Sequence, residues 1–499
     1  MFYESTRGSF RRVFSAEAIK LGLSPDGGLF VPYETVALSA EQIEKLVGLS
    51  YRETAAFILK PYLTDYTEEE ILECVSLAYN TEKFDTPEIA PVRRLAGGLY
   101  VLELWHGPTS AFKDMALTIL PHLLTRAAAK TGETATIVIL VATSGDTGKA
   151  ALEGFRDVPG TRIIVFYPEE GVSQVQKRQM VTQEGDNVAV VAVRGNFDDA
   201  QSGVKDIFGD MAFNSRLLSN GYILSSANSI NWGRLLPQIA YYFSAYAGLL
   251  AGNEIASGSP VNFVVPTGNF GNILAAFYAR EMGLPVNRLI CAANANNVLT
   301  GFIRTGEYNR ERPFIKTVSP SMDILISSNL ERLLYHLSGR DYAKVRGWMA
   351  ELKEKGRYKV DELTRARIAK LFWSDCADDA ATIETIQSCY QRHGCLVDTH
   401  TAVGLNVYDK YKAATGDSTP TVVVSTASPF KFNESVAGAI LGEDAVRGKD
   451  AFSLLDILAA ESKMEIPHGL KNLEQKPVLH RNVVERKEMQ GAVGRILGL

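Results

Sequence analysis

Strand-length apolar runs alternate with helix-length periodic segments along much of this chain, and this pattern limits the folds it can adopt. The runs are nearly continuous in Val and Ile, which is typical of strands covered on both faces. Strands joined by helices in this way form parallel βαβ units. The sequence therefore predicts an α/β protein with parallel sheets whose strands include residues 136–143, 162–168, 187–193, 261–267, 288–294 and 421–426.

The charge and composition of the chain indicate which kinds of molecule it can bind. The 499 residues carry a net charge of −5 and no long basic block, which disfavours nucleic acid and anionic membranes as partners. The beginning of the sequence lacks a signal-peptide pattern, and no later segment offers about 18 uninterrupted apolar residues. We therefore expect a cytoplasmic enzyme or binding protein that acts on small molecules.

The five cysteines are too few and too scattered for a disulfide framework. One late cluster combines thiols with imidazoles, but it lacks the paired spacing of a zinc site, so we predict no metal there. The cluster consists of Cys376, Cys389, His393, Cys395 and His400.

Changes in pattern divide the chain into segments. Residues 1–95 contain short helices, one of them opened by a Thr67/Glu70 capping box, and should form an N-terminal unit. Residues 96–300 and 396–445 should form the α/β core, with a smaller α/β subdomain at about 110–230. Between them, residues 301–395 are predicted to be a helical insertion, and residues 446–499 a C-terminal segment.

Lys113 stands in an unusual setting within "HGPTSAFKDMAL" (106–117). A helix that begins after Ser110 would be apolar nearly all round and would place this ammonium group out of water. The lysine can then extend its stem outward, pair with Asp114 or a distant acid, or become a neutral nucleophile through a lowered pKa. The motif alone favours the first two, structural, interpretations.

Two glycine-rich loops follow predicted strands and open helices. "PTGNFGN" (266–272) can aim backbone N–H groups and the positive end of a helix at one phosphate, although an ordinary turn has the same composition. "ATSGDTGKAAL" (142–152) has Thr143 and Ala150 where a P-loop needs Gly and Ser or Thr, so it is not one. Its small donors suit a carboxylate, and Ser144 can equally be a helix cap.

A third segment, "TVVVSTASPFKF" (421–432), ends a predicted strand with the hydroxyl groups of Ser425, Thr426 and Ser428. Ligands of parallel sheets bind beyond the carboxyl ends of the strands, so these hydroxyls are well placed for a site. A strand-end turn with solvated hydroxyls has the same pattern.

Taken together, "HGPTSAFKDMAL", "TSGDTGKAAL", "PTGNFGN" and "STASPFKF" resemble, in this order, the motifs of the threonine synthases. "STRG" (5–8), "LSPDGGLFVP" (23–32), "SSANSINWGR" (225–234) and "DTHTAVG" (398–404) are also similar to that family, so the resemblance spans nearly the whole chain. It implies the tryptophan synthase β-like fold, with two open parallel-sheet α/β domains plus an N-terminal unit, and pyridoxal 5'-phosphate as cofactor.

The resemblance also implies roles for individual residues. Lys113 would form the Schiff base with the cofactor, and Thr426 would face its pyridine nitrogen. The cofactor phosphate would bind Gly268, Asn269, Phe270, Gly271 and Asn272. The substrate α-carboxylate would bind Ser144, Gly145, Asp146 and Thr147. Further substrate contacts are Asn231, Arg234, Lys149 and Ser110, the last three as candidates for the substrate phosphate, although Arg234 can equally form a structural ion pair.

The implied reaction is the conversion of O-phospho-L-homoserine and water into L-threonine and phosphate by a monomer or homodimer. The nearest alternatives are a serine or threonine dehydratase and a cysteine synthase, which usually carry Asn where Asp146 stands. A catalytically silent homologue and a plain phosphate-binding α/β module are alternatives from other classes. Thr399, Ser428 and Phe430 depart from the family pattern and put details around the site in doubt.

Overall fold

The N-terminal unit joins a small antiparallel sheet to short helices. The computed structural model describes residues 1–143, 145–169 and 172–499. The helix that begins at Glu68 has the predicted capping box between Thr67 and Glu70. The elements of this unit are β1 (Phe2–Ser5), β2 (Val13–Phe14), α1 (Ser15–Leu21), β3 (Phe30–Pro32), α2 (Ala40–Glu44), α3 (Tyr51–Leu59) and α4 (Glu68–Ala78).

The middle of the chain alternates strands and helices as predicted. Its elements are β4 (Val92–Ala96), β5 (Leu99–Glu103), α5 (Asp114–Leu117), α6 (Leu120–Lys130), β6 (Thr136–Ala142), α7 (Asp146–Phe155), β7 (Thr161–Pro168), α8 (Gln174–Val181), β8 (Val188–Arg194), α9 (Phe197–Gly209), α10 (Met211–Ser219), β9 (Tyr222–Ser225), α11 (Trp232–Leu235), α12 (Pro237–Ala251), β10 (Val261–Pro266), α13 (Gly271–Glu281), β11 (Val286–Ala293) and α14 (Val298–Thr305).

The remainder of the chain is mainly helical but adds strands at several places. Its elements are β12 (Glu307–Asn309), α15 (Leu330–Leu337), α16 (Tyr342–Lys355), β13 (Arg357–Lys359), α17 (Glu362–Leu371), β14 (Phe372–Cys376), α18 (Asp379–His393), α19 (Thr399–Thr415), β15 (Thr421–Ser425), α20 (Asn433–Leu441), α21 (Glu443–Val446), α22 (Ala451–Ser462), β16 (Asn482–Glu485) and α23 (Met489–Leu497). Among the described residues, no helix is both long enough and apolar enough to cross a membrane.

The larger sheet has the strand order β14-β11-β10-β15-β5-β4 and is parallel except for β4. The predicted strands at 261–267, 288–294 and 421–426 are confirmed as β10, β11 and β15. The segment 301–395, predicted as a helical insertion, contains helices and also three strands: β14 pairs with β11, and β12 pairs with β13. The sequence of β14, "FWSDC", is short and contains two adjacent polar residues, Ser374 and Asp375, so it lacks the apolar run that marks the central strands.

The smaller sheet has the order β16-β8-β7-β6-β9, and all of its strand pairs are parallel. The predicted strands at 136–143, 162–168 and 187–193 are confirmed as β6, β7 and β8. The edge strand β16 was not predicted. It comes from the C-terminal segment and lies next to β8, so that segment completes the smaller domain. Four residues with two neighbouring valines are too short a pattern to distinguish a strand from a loop.

The helix after Lys113 begins later than the apolar pattern predicts. Ser110 has a φ of 60°, and Ala111 forms an isolated antiparallel bridge with Ala427. The amide of Phe112 donates to the Thr426 carbonyl oxygen at 2.8 Å. The helix can therefore start only at Asp114, and the same contacts bring the Lys113 segment to the end of strand β15.

The N-terminal unit supports the helices next to Lys113. The buried Tyr79 hydroxyl donates to the Met115 carbonyl oxygen at 2.6 Å, and the Tyr66 hydroxyl donates to the Leu123 carbonyl oxygen at 2.9 Å. The Met115 carbonyl belongs to the four-residue helix α5, whose last carbonyls lack intrahelical donors, whereas Leu123 lies within helix α6. The unit therefore satisfies a backbone group that the short helix α5 leaves open and adds a second contact to α6.

The close contact between helices α5 and α7 makes Gly154 a sensitive position. A Cβ at Gly154 would lie 2.0 Å from the Leu117 carbonyl oxygen, so one of the two helices would have to move. We expect Gly154→Ala to lower the free energy of unfolding by roughly 2–3 kcal/mol, as an overpacked core position does. Urea titration followed by circular dichroism measures this change.

Gly347 is the matched control for Gly154. It also lies within a helix, α16, but a Cβ there would have no neighbouring atom within 4 Å. Gly347→Ala should raise the free energy of unfolding by about 0.5–1 kcal/mol, because alanine restricts the unfolded chain. Equal effects of the two substitutions would contradict the described packing of α7 against α5.

Candidate active site

Lys113 lies immediately before helix α5 with only 11 % of its side chain exposed. Its Nζ lies 3.3 Å from Asp146 Oδ2 and 3.5 Å from Ser321 Oγ. Burial lowers the pKa of Lys113; the Asp146 carboxylate opposes this shift, whereas the nearby cations of Lys431 and Arg234 add to it. The lysine is thus paired with a distant acid, and its pKa is nevertheless lowered; its action as a neutral nucleophile stays a prediction.

Asp146 is the acid that organises this part of the site. Its Oδ1 lies 2.9 Å from Lys431 Nζ and accepts a hydrogen bond from Gln176 Nε2, also at 2.9 Å. Burial alone would raise the pKa of Asp146, but the ammonium groups of Lys431 and Lys113 hold it well below its usual range. Asp146 is therefore a fixed negative charge between two lysines.

Lys431 is held by backbone as well as by charge. Its side chain is 0 % exposed, and Nζ donates to the Thr109 carbonyl oxygen at 2.7 Å. The Lys113 segment, helix α7 and the turn after strand β15 therefore meet at one cluster of charges. A second ammonium beside Asp146 weakens the stabilisation that Asp146 can offer to a protonated Lys113.

A buried acid–histidine pair holds Ser321, the second partner of Lys113. The amide of Ser321 donates to His400 Nε2 at 3.1 Å, so that nitrogen is the unprotonated one. The other ring nitrogen, Nδ1, lies 2.7 Å from Asp398 Oδ2, which it reaches as a donor. Ser321 Oγ in turn donates to Asp146 Oδ2 at 3.2 Å. The beginning of helix α19 thus fixes a serine that contacts both Lys113 and Asp146.

The second glycine-rich loop, residues 266–272, turns sharply between strand β10 and helix α13. The residue with positive φ is Phe270, at 63°, rather than either glycine. The glycines provide space: a Cβ at Gly268 would lie 3.0 Å from the Ser321 carbonyl oxygen. A Cβ at Gly271 would face the Asn329 and Gln238 amide nitrogens at 3.6 and 3.8 Å. The space in front of Gly271 is therefore lined by hydrogen-bond donors.

The backbone N–H groups of this loop are available to a ligand. No acceptor for them is found among residues 1–143, 145–169 and 172–499; the residues concerned are Gly268, Asn269, Phe270, Gly271 and Asn272. Several free donors at the N-terminus of an eleven-residue helix form an anion site.

Asn272 adds a side-chain donor to the loop. Its amide oxygen accepts from the hydroxyls of Tyr241, at 2.8 Å, and Tyr242, which fixes the orientation of the side chain. Its Nδ2 is buried and has no hydrogen-bond partner among the described residues. A buried amide N–H₂ without an acceptor is costly in a protein alone, so this group indicates a missing anion.

Arg234 is a second buried donor that points to an anion. It is 5 % exposed, and its one described hydrogen bond runs from Nη1 to the Ala227 carbonyl oxygen at 2.7 Å. Burial lowers the pKa of Arg234 to about 10. The alternative of a structural ion pair is not supported, because no carboxylate lies within 4 Å of it in the described part of the chain.

Two of the predicted substrate contacts have structural partners instead. Asn231 caps helix α11: its Oδ1 accepts from the Gly233 amide, and its Nδ2 donates to the Ile19 carbonyl oxygen at 3.0 Å. The ammonium of Lys149 contacts Glu153, one helical turn later, and Gln183. Both side chains are thus already used within the fold, and neither is a free donor for a substrate.

The first glycine-rich loop, residues 142–152, is capped by Thr143, which the sequence marked only as a departure from the P-loop pattern. Thr143 Oγ1 accepts from the amides of Gly145 at 3.0 Å and Gly148 at 2.9 Å. Gly145 has a φ of 144°, and a Cβ there would lie 2.5 Å from the Gln176 side chain. Thr147 lies half-buried in the first turn of α7. Ser144 lies outside the described residues.

Hydroxyl groups surround the end of strand β15, as predicted. Thr426 is 5 % exposed and its backbone binds the Lys113 segment, whereas Ser425 Oγ accepts from Trp105 and Thr401. The hydroxyl of Ser110 is buried and lacks a partner among the described residues. After Asn272 Nδ2 and Arg234, the Ser110 hydroxyl is therefore a third donor with unused hydrogen-bonding capacity in the described part of the chain. It is also close to Lys113 in the sequence.

The residues that depart from the family pattern occupy structural positions. Ser428 caps the following turn and its amide donates to the Ser110 carbonyl oxygen at 3.0 Å, and Phe430 lies in the core. Thr399 is fully buried at the start of α19, with Oγ1 3.4 Å from His400 Nδ1. Among the described residues, no group of three His, Cys, Asp or Glu side chains can hold a metal ion.

His106 opens the Lys113 motif and provides a test by pH. Burial lowers its pKa, but hydrogen bonds to Asp85 Oδ1 at 2.6 Å and Glu103 Oε2 at 2.9 Å reverse this and raise the pKa to about 9. Because the folded pKa lies above the unfolded value, the pair stabilises the protein fully below about pH 6.5 and loses this effect as the pH rises through about 9.

We therefore expect His106→Gln to lower the free energy of unfolding by about 1–2 kcal/mol at pH 6. This value is smaller than the pKa shift alone implies, because solvent screens the two partly exposed carboxylates. The difference from wild type should vanish near pH 10, beyond the folded pKa of about 9. Urea titrations at both pH values measure it. A difference that is independent of pH would show that the two carboxylates do not hold a charged imidazole.

The comparisons with known proteins agree on one family. Profiles described as threonine synthase N terminus, pyridoxal-phosphate dependent enzyme and threonine synthase C-terminal match residues 2–79, 66–357 and 401–492. Threonine synthase from Pseudomonas aeruginosa is 41 % identical over 444 residues, which cover 89 % of this chain and 91 % of that protein. The chain belongs to the threonine synthase family.

Solved threonine synthases have the same fold as this family member. The crystal structure of a threonine synthase from Brucella melitensis, described as bound to pyridoxal phosphate, superposes with a TM-score of 0.88 at 37 % identity and covers all of both chains. Threonine synthase-like 1 from Homo sapiens is 39 % identical over 487 residues. The chain spans only 63 % of the length of that relative, although the match covers 96 % of the chain itself.

Proposed function

We propose that this protein is a threonine synthase that uses pyridoxal 5'-phosphate to convert O-phospho-L-homoserine and water into L-threonine and phosphate. The observation that carries the proposal is the arrangement around Lys113. A lysine with a lowered pKa contacts Ser321, which lies against a loop whose N–H groups have no acceptor in the described part of the chain. A buried guanidinium, with no carboxylate of a described residue within 4 Å, lies nearby.

The donor set around helix α13 fits the phosphate of such a cofactor. It combines the amides of residues 268–272 with Nδ2 of Asn272, none of which has a partner among the described residues, and the space in front of Gly271 faces two amide nitrogens. Thr426 would offer a neutral hydroxyl to the pyridine nitrogen. When bound, pyridoxal phosphate would withdraw electrons from the carbon atoms of an attached amino acid.

Lys113 would bind the cofactor covalently and, once released from it, would serve as the base. Its Nζ would accept the proton of the substrate α-carbon, since its lowered pKa favours the neutral amine. Asp146 Oδ2 and Ser321 Oγ are within reach of the resulting ammonium and would hold it in place. Lys431 would limit this stabilisation, so that the proton can be returned to a later species.

The phosphate of the substrate would bind Arg234. The α-carboxylate of the substrate would bind Ser144, Gly145 and Thr147, at the beginning of helix α7. Ser110 is the remaining candidate donor, because its hydroxyl is buried and unpartnered. A guanidinium presents a planar fork of donors that suits a phosphate. Lys149 and Asn231 are not included, because both already have structural partners.

The alternatives from the same fold differ at Asp146. A dehydratase or cysteine synthase usually carries Asn there, and here the position is a charged carboxylate held between two lysines. The free guanidinium of Arg234 also favours a substrate with a second anionic group. A silent homologue would share the site but release no product. The cytoplasmic location and the choice between monomer and homodimer stay predictions.

The test combines a covalent label with a product assay. The protein loaded with pyridoxal phosphate should show visible absorbance, and borohydride reduction should attach the label to the peptide that contains Lys113. O-phospho-L-homoserine should then yield phosphate and threonine in equal amounts. A label on another lysine would refute the assignment of Lys113. Product from serine or threonine instead would identify a dehydratase.

A further inference from the structure

Arg332 is a buried charge that the proposed reaction does not use. Its side chain is 0 % exposed, and its guanidinium donates to three separate segments. Nε donates to the Phe30 carbonyl oxygen at 2.9 Å, Nη2 to the Ile230 carbonyl oxygen at 2.6 Å and Nη1 to Asn329 Oδ1 at 2.6 Å. Arg332 therefore joins the N-terminal unit, the segment that leads to Arg234, and the beginning of helix α15.

Asn329 passes this connection on to the loop at 266–272. Its Nδ2 and its backbone amide donate to the Asn269 carbonyl oxygen at 3.0 and 3.1 Å. Two residues earlier, Ser327 Oγ donates to the Gly268 carbonyl oxygen at 2.7 Å. Two consecutive carbonyls of the loop are thus held on the side that faces helix α15.

The planar trans peptide translates these contacts into a direction for the loop amides. Within one peptide unit, the C=O and the following N–H point in opposite directions. Holding the Gly268 and Asn269 carbonyls towards α15 therefore turns the N–H groups of Asn269 and Phe270 away from it. Without these contacts, each peptide could rotate and offer a carbonyl dipole of the wrong sign to an anion.

We propose that Ser327, Asn329 and Arg332 are positioning residues that orient the loop at 266–272 for the phosphate group of the cofactor and couple this loop to the N-terminal unit. They contact neither Lys113 nor the proposed substrate donors, so their effect should be specific to the phosphate. The proposal rests on the proposed function, because it takes pyridoxal phosphate as the ligand.

Comparison of pyridoxal phosphate with pyridoxal, which lacks the phosphate, tests this specificity. The dissociation constant of each compound is measured by absorbance titration of cofactor-free wild type, Asn329→Ala and Ser327→Ala. Misoriented amides lose charge-assisted hydrogen bonds, so both variants should bind pyridoxal phosphate roughly 10- to 100-fold more weakly. The dissociation constant for pyridoxal should change by less than about 3-fold, because the lysine is untouched.

Asn262→Ala is the matched control. Asn262 is also 0 % exposed, and its side chain contacts Asp417, Thr421 and Asn287 at the start of strand β10, the end remote from the loop. Asn262→Ala should lower the free energy of unfolding as Asn329→Ala does. It should leave unchanged the ratio of the dissociation constants for pyridoxal phosphate and pyridoxal. A similar change of that ratio in Asn262→Ala would overturn the proposal.

Three further outcomes would contradict the positioning role of these residues. Equal weakening of both compounds in Asn329→Ala and Ser327→Ala would show a general loss of structure and would overturn the positioning role. Unchanged binding of pyridoxal phosphate would overturn it as well, while leaving the proposed function intact. If wild type itself fails to bind pyridoxal phosphate more tightly than pyridoxal, the proposed function fails, and the positioning role falls with it.

Arg332→Met extends the test to the N-terminal unit. It removes three donors at once and leaves the Phe30 and Ile230 carbonyls unpaired, so the variant can be expected to unfold easily. In a form that remains folded by circular dichroism, the same selective loss of pyridoxal phosphate binding should appear. Selective loss of pyridoxal phosphate binding in all three variants, Ser327→Ala, Asn329→Ala and Arg332→Met, would support the coupling of the loop to the N-terminal unit. If folded Arg332→Met shows no such loss, Arg332 is not a positioning residue.

Discussion

Replacing Lys113 by Ala should abolish the release of phosphate from O-phospho-L-homoserine, with a loss of roughly 10⁴-fold or more in turnover. The reason is that in the proposed reaction this position would supply both the covalent anchor and the base, and no other amine within the described residues lies against both Ser321 and Asp146. The measurement is a continuous phosphate assay with the cofactor in excess. Borohydride should no longer label the protein at this site.

Lys83→Ala is the control for the general effect of removing a buried lysine. Burial also lowers the pKa of Lys83, but this residue belongs to the N-terminal region and lacks any contact with Asp146. Its replacement should leave turnover within about 2-fold of wild type. A Lys113→Ala protein that retains more than about 1 % of the activity would assign the base to another group.

Replacing Arg234 by Met should separate a functional arginine from a structural one. We expect a loss of roughly 10²- to 10³-fold in kcat/KM for the phosphorylated substrate, since its phosphate would lose a buried, charged partner. The free energy of unfolding should stay within about 1 kcal/mol of wild type, because the substitution also removes a buried charge that has no carboxylate partner. Steady-state kinetics and urea titration provide the two values.

Arg332→Met is the contrasting variant for this experiment. Both arginines are buried, and burial lowers the pKa of each to about 10. However, Arg332 donates to three acceptors and Arg234 to one. The free energy of unfolding should therefore fall by roughly 3 kcal/mol or more in Arg332→Met. If Arg234→Met is equally unstable and its kcat/KM is unchanged, then Arg234 is a structural residue.

Much of the fold could be predicted from local patterns. The central strands of both sheets are continuous runs of Val and Ile, and such runs need no tertiary information to be recognised. The capping box at Thr67 is likewise a local device. By contrast, the edge strands β14 and β16 are short and polar, and they are strands only because a neighbour offers free backbone groups to them.

The candidate site was predicted less completely than the fold. Lys113, Arg234 and the loop at 266–272 lie in motifs with a recognisable pattern. Lys431, Ser321 and His400 were missed as partners. Nothing local in the sequence indicates that Lys431 and Ser321 reach Asp146, or that His400 holds Ser321. The one available signal concerned Lys431, which follows a buried strand at the edge of the sheet where ligands bind.

The sequence by itself determined the class of the fold, the helix-forming apolar context of Lys113 and the presence of a phosphate-sized glycine loop, because these depend on residues close together in the chain. Only the tertiary structure decided which charges meet. It paired Lys113 with Asp146, 33 residues away, and gave Asn231 and Lys149 structural partners, whereas none of the described carboxylates pairs with Arg234. The energy of a buried charge depends on every group around it, and those groups come from segments that only folding brings together.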